Sequence, residues 1–175
     1  MRPPCRPPVH ATAEDAPLEA GAFDAVTASM CWGYLDHGRV VPRLWSALRP
    51  GGALALASLL WSAGGGPVAR LTAEVLRRHH PAFARRGRAG RCAAPPGLGE
   101  GSLPPADLAP ETVMLRFTRE GWRGRQRAGK WVGAALPPGA VAAFDAELAR
   151  ALEERAPAEF AIPHAVGLQI FERIP

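Results

Sequence analysis

Apolar residues change their spacing several times along the chain, and each change marks an element. Phe23 to Ser29 (FDAVTAS) is a short, mainly apolar run with the length of a buried strand. From Gly38 to Leu48 the apolar positions Val40, Val41, Leu44, Trp45 and Leu48 recur at helical spacing, which predicts a helix with one face on a sheet. Arg49-Pro50-Gly51-Gly52 stops it, because proline cannot continue a helix and glycine permits the positive-φ turn into the next strand, Ala53 to Leu60. Strand, helix, glycine turn and strand make a βαβ unit, so the two strands are expected parallel with a right-handed crossover.

Further along, Gly64-Gly65-Gly66-Pro67 opens a helix that runs to about His80, with Pro67 near the first turn, where proline is tolerated. Its apolar face is Val68, Leu71, Val75 and Leu76. Residues 84 to 110 are rich in arginine, glycine and proline without periodicity, and are expected to form a long mobile loop. Thr112 to Phe117 reads as a strand, and Gly121 to Ala128 as a basic helix or turn. Pro137 and Pro138 precede an amphipathic helix from Gly139 to Arg155, with Val141, Phe144, Leu148 and Leu152 on its apolar face. A final strand covers Ile162 to Ile174. No internal repeat occurs, and no linker demands a second domain.

Composition narrows the class. A chain of 175 residues with 47% hydrophobic residues can build one domain with a real core. The formal charge of +5 comes from arginine, Lys130 being the only lysine, which reads as coding bias rather than as a nucleic-acid footprint. The densest basic stretch, Arg77, Arg78, Arg85, Arg86, Arg88 and Arg91, has only Phe83 among its residues for stacking on bases, so no nucleic-acid partner is expected. Cys5, Cys31 and Cys92 are an odd number at wide spacing, which fits neither a disulfide framework nor a zinc ribbon and points to a reducing, cytoplasmic setting. His79-His80 adds no metal spacing, so no metal is expected. Met1 to His10 is crowded with prolines and has no apolar core of a secretory signal, so residues 1–10 are expected to be a disordered lead. The longest apolar run, Ala53 to Trp61, is too short to cross a bilayer, and no membrane partner is expected.

Three pieces of residues 11–61 carry a resemblance: the Ala13-Glu14-Asp15 turn, the Phe23-Asp24-Ala25-Val26 run, and Leu48-Arg49-Pro50-Gly51-Gly52. In order and spacing they resemble the second half of a class I, S-adenosylmethionine-dependent methyltransferase core. Trp122-Arg123-Gly124-Arg125, Ala143 to Leu148 and Ile162-Pro163-His164 resemble the trans-aconitate methyltransferase-like subgroup. The resemblance implies an α/β chain, residues 11–175, with a partial Rossmann-like methyltransferase fold: a mostly parallel sheet with an antiparallel final strand and helices on both faces. It implies a strand order of fourth, fifth, seventh and sixth in the family's count. It also implies S-adenosylmethionine as cofactor, with Ala13 and Glu14 against the adenine and Ser29, Met30 and Trp32 at the carboxyl end of the first strand, where open α/β sheets bind ligands. Trp122, Arg123 and Arg125 are the candidates for holding a small, carboxylate-bearing acceptor.

Taken by themselves, the residues leave alternatives open. Trp32 and Tyr34 suit core packing as well as a cofactor wall, and Glu14 and Asp15 suit an ordinary solvated turn. The arginines at 123, 125 and 127 suit a solvated face, and His164 reads as structural. No nucleophile or general base stands out. Before Ala13 there is no glycine-rich loop and no strand ending in an acid for the ribose, the pieces that cradle most of the cofactor in the family. Gly33 and Tyr34 stand where the subgroup favours a histidine-aromatic pair. The expectation is therefore a methyltransferase chain impaired in isolation. The alternative is a non-catalytic remnant that self-associates or binds a partner through the exposed edge of its first strand.

Overall fold

The computed structural model describes residues 8–62, 64–80, 82–83 and 111–174. The expected disorder of residues 1–7 and the expected mobile loop at 84–110 lie outside the described residues. The described chain forms two compact units, one built from residues 8–57 and 168–174, the other from the described parts of 58–83 and 111–167.

In the first unit the chain enters β1, Phe23–Ser29, then a single 3-10 turn, Trp32–Tyr34, then α1, His37–Ala47. Asp36 sets the start of α1: it is extended, and its side chain accepts the Gly38 N–H at 3.0 Å, satisfying one of the donors that a helix start leaves free. The helix ends one residue earlier than its apolar spacing suggests, because Leu48 is already extended. Strand β2, Leu48–Trp61, therefore begins before Ala53 and takes in Arg49 to Gly52 as an irregular start. Phe23 stands opposite Leu48 but Ala25 opposite Ala53, so the register jumps across the glycines. Gly51 has φ 75°, and a Cβ on Gly52 would lie 2.9 Å from the Arg49 carbonyl and 3.0 Å from that of Asp24. Both positions need glycine, one for its φ and the other for room.

Strands β1 and β2 are parallel, as the βαβ pattern predicts. One expectation fails here: β1 is not a buried strand. Only Ala28 of its residues is buried, because β1 stands at the end of the sheet and pairs on one side, with β2. The core of this unit is Val40, Val41 and Leu44 of α1 with Leu54, Leu56 and Phe171, joined by Trp32. Burying one such side chain contributes roughly 1.5–3 kcal/mol relative to exposure.

The second unit holds α2, Pro67–His79; β3, Glu111–Thr118; α3, Arg119–Arg127; and α4, Pro138–Arg155. The basic segment is a helix, and it starts two residues before Gly121 because Thr118 caps it, accepting the Gly121 N–H at 3.0 Å. Of the apolar positions named for α2 and α4, Val68, Leu71, Val75, Leu76, Phe144, Leu148 and Leu152 are buried together with Trp122 and Ile162, and Val141 is partly buried against them. The last strand, β4, runs Glu159–Glu172, starting three residues before Ile162. It is antiparallel to β3, and the four strands lie in the order β1-β2-β4-β3. The chain is α/β with a mixed sheet, in the order the resemblance implies. No described helix is long and apolar enough to cross a membrane.

Candidate functional site

The residues singled out for a cofactor all lie in the first unit, and two hydrogen bonds tie them into one region. The Asp36 N–H, at the start of α1, donates to Glu14 Oε1 at 2.9 Å, which draws the 13–15 turn onto the segment that follows β1. That backbone hydrogen bond is the main reason the Glu14 carboxyl titrates below its ordinary value. The Met30 N–H donates to the Ala57 carbonyl at 3.0 Å, and Met30 has φ 59°, a left-handed conformation that non-glycine residues seldom adopt. It turns the chain out of β1 and leaves Ser29 and Met30 exposed at the strand's carboxyl end.

Trp32 takes the opposite course. Its indole is 3% exposed, packed in the core and stacked on His37 with ring centroids 4.8 Å apart. The His37 ring nitrogen Nε2 is 2.9 Å from the Trp32 carbonyl, so the ring donates a hydrogen bond there. The buried indole Nε1 has no hydrogen-bond partner among the described residues. Trp32 therefore supports the turn from beneath, while Tyr34 is 51% exposed. His37 was not singled out by the sequence; the one signal was an aromatic ring five residues after Trp32, across a turn.

The WRGR segment is the middle of α3, and helical geometry divides it. Residues two apart point to nearly opposite sides of a helix, whereas residues three or four apart share a face. Trp122 is fully buried, and its Nε1–H donates to Thr72 Oγ1 at 2.8 Å, whose hydroxyl in turn donates to the Val68 carbonyl. Arg123 shares a face with Arg127, and both guanidinium groups bond Glu120 and Asp145 of α4. Burial pushes the Asp145 carboxyl up, but hydrogen bonds from Arg123 and Arg127 outweigh it and hold the group below its ordinary value. The same Asp145 hydrogen bond raises Arg123.

Arg125 points elsewhere. Its Nε–H donates to His164 Nε2 at 3.2 Å and its Nη2 to the Leu59 carbonyl at 3.3 Å, near the end of β2. His164 is fully buried, and its Nδ1 lies 2.9 Å from the Ile162 carbonyl, so Nδ1 carries the proton and Nε2 is the acceptor. Burial and the neighbouring guanidinium both lower the His164 pKa, burial being the larger effect. Asp145 and His164 are the residues that sequence reading left without a role at this site. The first could have been found by asking which acid on α4 faces an arginine pair spaced four apart.

Two shallow grooves mark the surface: one in the first unit along α1, with His37, Val41, Trp45 and Arg173, and one in the second with Arg127, Leu136, Val141 and Asp145. Neither includes Glu14, Ser29, Met30 or Arg125. Among the described residues no cluster of histidine, cysteine, aspartate or glutamate is arranged to hold a metal ion.

Residues 3–56 match a family model described as a methyltransferase domain. Over 45 residues the chain is 42% identical to an uncharacterized methyltransferase of Mycobacterium bovis and to another of Mycobacterium tuberculosis. The match covers 26% of this chain and 18% of each relative, so the chain matches under a fifth of the curated relatives' length. In fold it is similar to a chain from Anaeromyxobacter dehalogenans assigned to the type II methyltransferases, with TM-score 0.52, 22% sequence identity, and coverage of 94% of this chain and 71% of that one. The likeness to a methyltransferase domain in sequence is confined to the stretch that supplies the 13–15 turn, β1, α1 and most of β2, and the likeness to the Anaeromyxobacter chain is one of fold.

Proposed function

We propose that this chain takes part in S-adenosylmethionine-dependent methyl transfer to a small acceptor bearing a carboxylate. The observation that carries the reading is that the matched segment folds as a parallel β1-α1-β2 unit, with the Glu14 turn hydrogen-bonded beside the exposed carboxyl end of β1. When bound, the cofactor supplies a methyl group made electrophilic by a positively charged sulfur. Ala13 and Glu14 offer backbone and carboxylate groups to the adenine nucleoside, and Ser29 and Met30 present exposed groups at the strand end. Trp32, beneath them, fixes the turn, and its buried indole N–H has no acceptor among the described residues. These residues fit the nucleoside end of the cofactor. The amino-acid end needs a glycine-rich loop, and no such run precedes Ala13 in these 175 residues.

The reading is tested by calorimetric titration with S-adenosylmethionine. The 175 residues alone are expected to bind weakly or not at all. Joined to the amino-terminal half of a relative, they are expected to bind at micromolar concentration, with Trp32→Ala weakening that binding at least tenfold. Absence of binding by the joined protein would refute the reading.

A second reading has one observation in its favour: among the described residues β1 pairs only with β2, and of its seven residues only Ala28 is buried. On this reading the chain is a non-catalytic module that self-associates or captures a partner strand along β1. A concentration-dependent dimer by sedimentation, abolished by Val26→Pro, combined with no cofactor binding in the joined protein, supports it over the first.

A further inference from the structure

The two arginines of WRGR differ in what neutralises them. Arg123 is paired with Glu120 and Asp145, and Arg127 with the same two acids. Among the described residues the other ion-paired arginines are Arg39 with Asp15, Arg49 with Asp24, Arg78 with Glu147, Arg119 with Glu153 and Arg155 with Glu74. Among the described residues Arg43 and Arg173 bond carbonyl oxygens and no acid, but Arg43 is exposed to solvent, and the carbonyls of Trp45, Ser46 and Leu48 around Arg173 are the electron-rich end of α1, a natural site for a cation. Arg125 has neither. Its partners are a neutral imidazole and the Leu59 carbonyl on a strand, and no described carboxylate bonds it. Partial burial with nothing to offset it lowers its pKa, the reverse of Arg123 and Arg127.

A guanidinium has five N–H donors, and Arg125 directs one at His164 and one at Leu59. The remaining three are both on Nη1 and one on Nη2, so one from each terminal nitrogen can run parallel and meet two oxygens of one anion. The imidazole governs where they point. With Nδ1–H given to the Ile162 carbonyl, His164 Nε2 can only accept, and it holds the Arg125 Nε–H edge in place. The ring itself is fixed by Phe117 and Trp122, whose centroids lie 5.8 and 6.3 Å away. Lysine at 125 would offer a compact charge with no planar fork.

We propose that Arg125 is an oxyanion receptor, that buried His164 is its positioning residue, and that Arg123 plays no part in anion binding. Its identification as the acceptor subsite rests on the methyltransferase reading; its binding chemistry does not. The shared chemistry is a small oxyanion, carboxylate or phosphate, and the two are separated by experiment.

The chain is titrated with succinate and, separately, with inorganic phosphate, while the Arg125 Nε–H resonance is followed by nuclear magnetic resonance. A saturable shift with one of the two is expected, and which one it is names the acceptor's anionic group. Arg125→Lys should weaken binding at least tenfold, and Arg123→Lys should leave it within twofold while lowering the melting temperature. His164→Phe, which keeps ring bulk but removes the acceptor, should also weaken binding tenfold. His164→Gln, whose amide oxygen can accept from Nε–H, should recover part of it. If His164→Phe does not fold, the Arg125→Lys and wild-type titrations still decide. No saturable shift with either anion overturns the proposal, as does equal binding by Arg125→Lys. Failure of the joined protein to bind S-adenosylmethionine, with Arg125-dependent anion binding intact, would sink the methyltransferase reading and leave the oxyanion subsite standing.

Discussion

Single residues here gain their roles from what stands opposite them, and Asp145 shows it most plainly. Its side chain is 17% exposed and accepts from both Arg123 and Arg127. Held below its ordinary value of 3.8, it favours the folded state at all pH values above that point. The contribution fades as pH falls below 3.8 and through the lower folded value. Asp145→Asn is expected to cost about 2 kcal/mol at neutral pH, within the range for hydrogen bonds to charged groups, and to flatten the acid limb of stability below about pH 4. Urea melts of both proteins across pH 3 to 7 check this; parallel acid limbs would contradict it. Gly52 is the steric counterpart. Because a Cβ there meets two backbone oxygens at 3.0 Å or less, Gly52→Ala should cost about 2 kcal/mol, typical of overpacking, read as a lower urea midpoint.

At the level of elements, much of the structure was legible because period and punctuation agreed. The 3.6 period of α1, α2 and α4 located all three helices to within a few residues, and each start is marked by a residue that suits it: Asp36, Gly66 before Pro67, and Pro138 at the first helical position. Boundaries slipped where a side chain took over from the pattern. Thr118 opened α3 two residues early, and the glycines of the Arg49 to Gly52 run became the bulged start of β2 instead of a connecting loop. The candidate site was less legible for a related reason. Reading Arg123 and Arg125 as one pair ignores the near-opposite directions that a helix gives residues two apart, and the partners that separate them, Asp145 and His164, lie 22 and 39 residues away in sequence. Asp36 gives a measurable check at this scale. Asp36→Ala removes the bond to the Gly38 N–H and is expected to cost about 1 kcal/mol, seen as a lower melting temperature; an unchanged value would show that Glu14, through the Asp36 N–H, holds the helix start by itself.

Across the whole molecule, the sheet order β1-β2-β4-β3 carries a consequence for how the polypeptide is made. Strand β4 is synthesised after all the others, yet it lies between β2 and β3. While the ribosome is still translating the region before Glu159, the nascent polypeptide can complete the β1-α1-β2 hairpin-free half, whose contacts are close in sequence, but β3 has no strand to zip against. Closing the sheet then requires the emerging tail to slot between two waiting edges, a late and non-local event of the kind that slows folding. During that interval Leu54, Leu56 and their neighbours lack Phe171 above them, and the open side of β2 is a template for any extended peptide nearby. The vulnerable period for this protein in a cell thus runs from the emergence of β2 until β4 joins the sheet, when a chaperone that shields β2 would matter most.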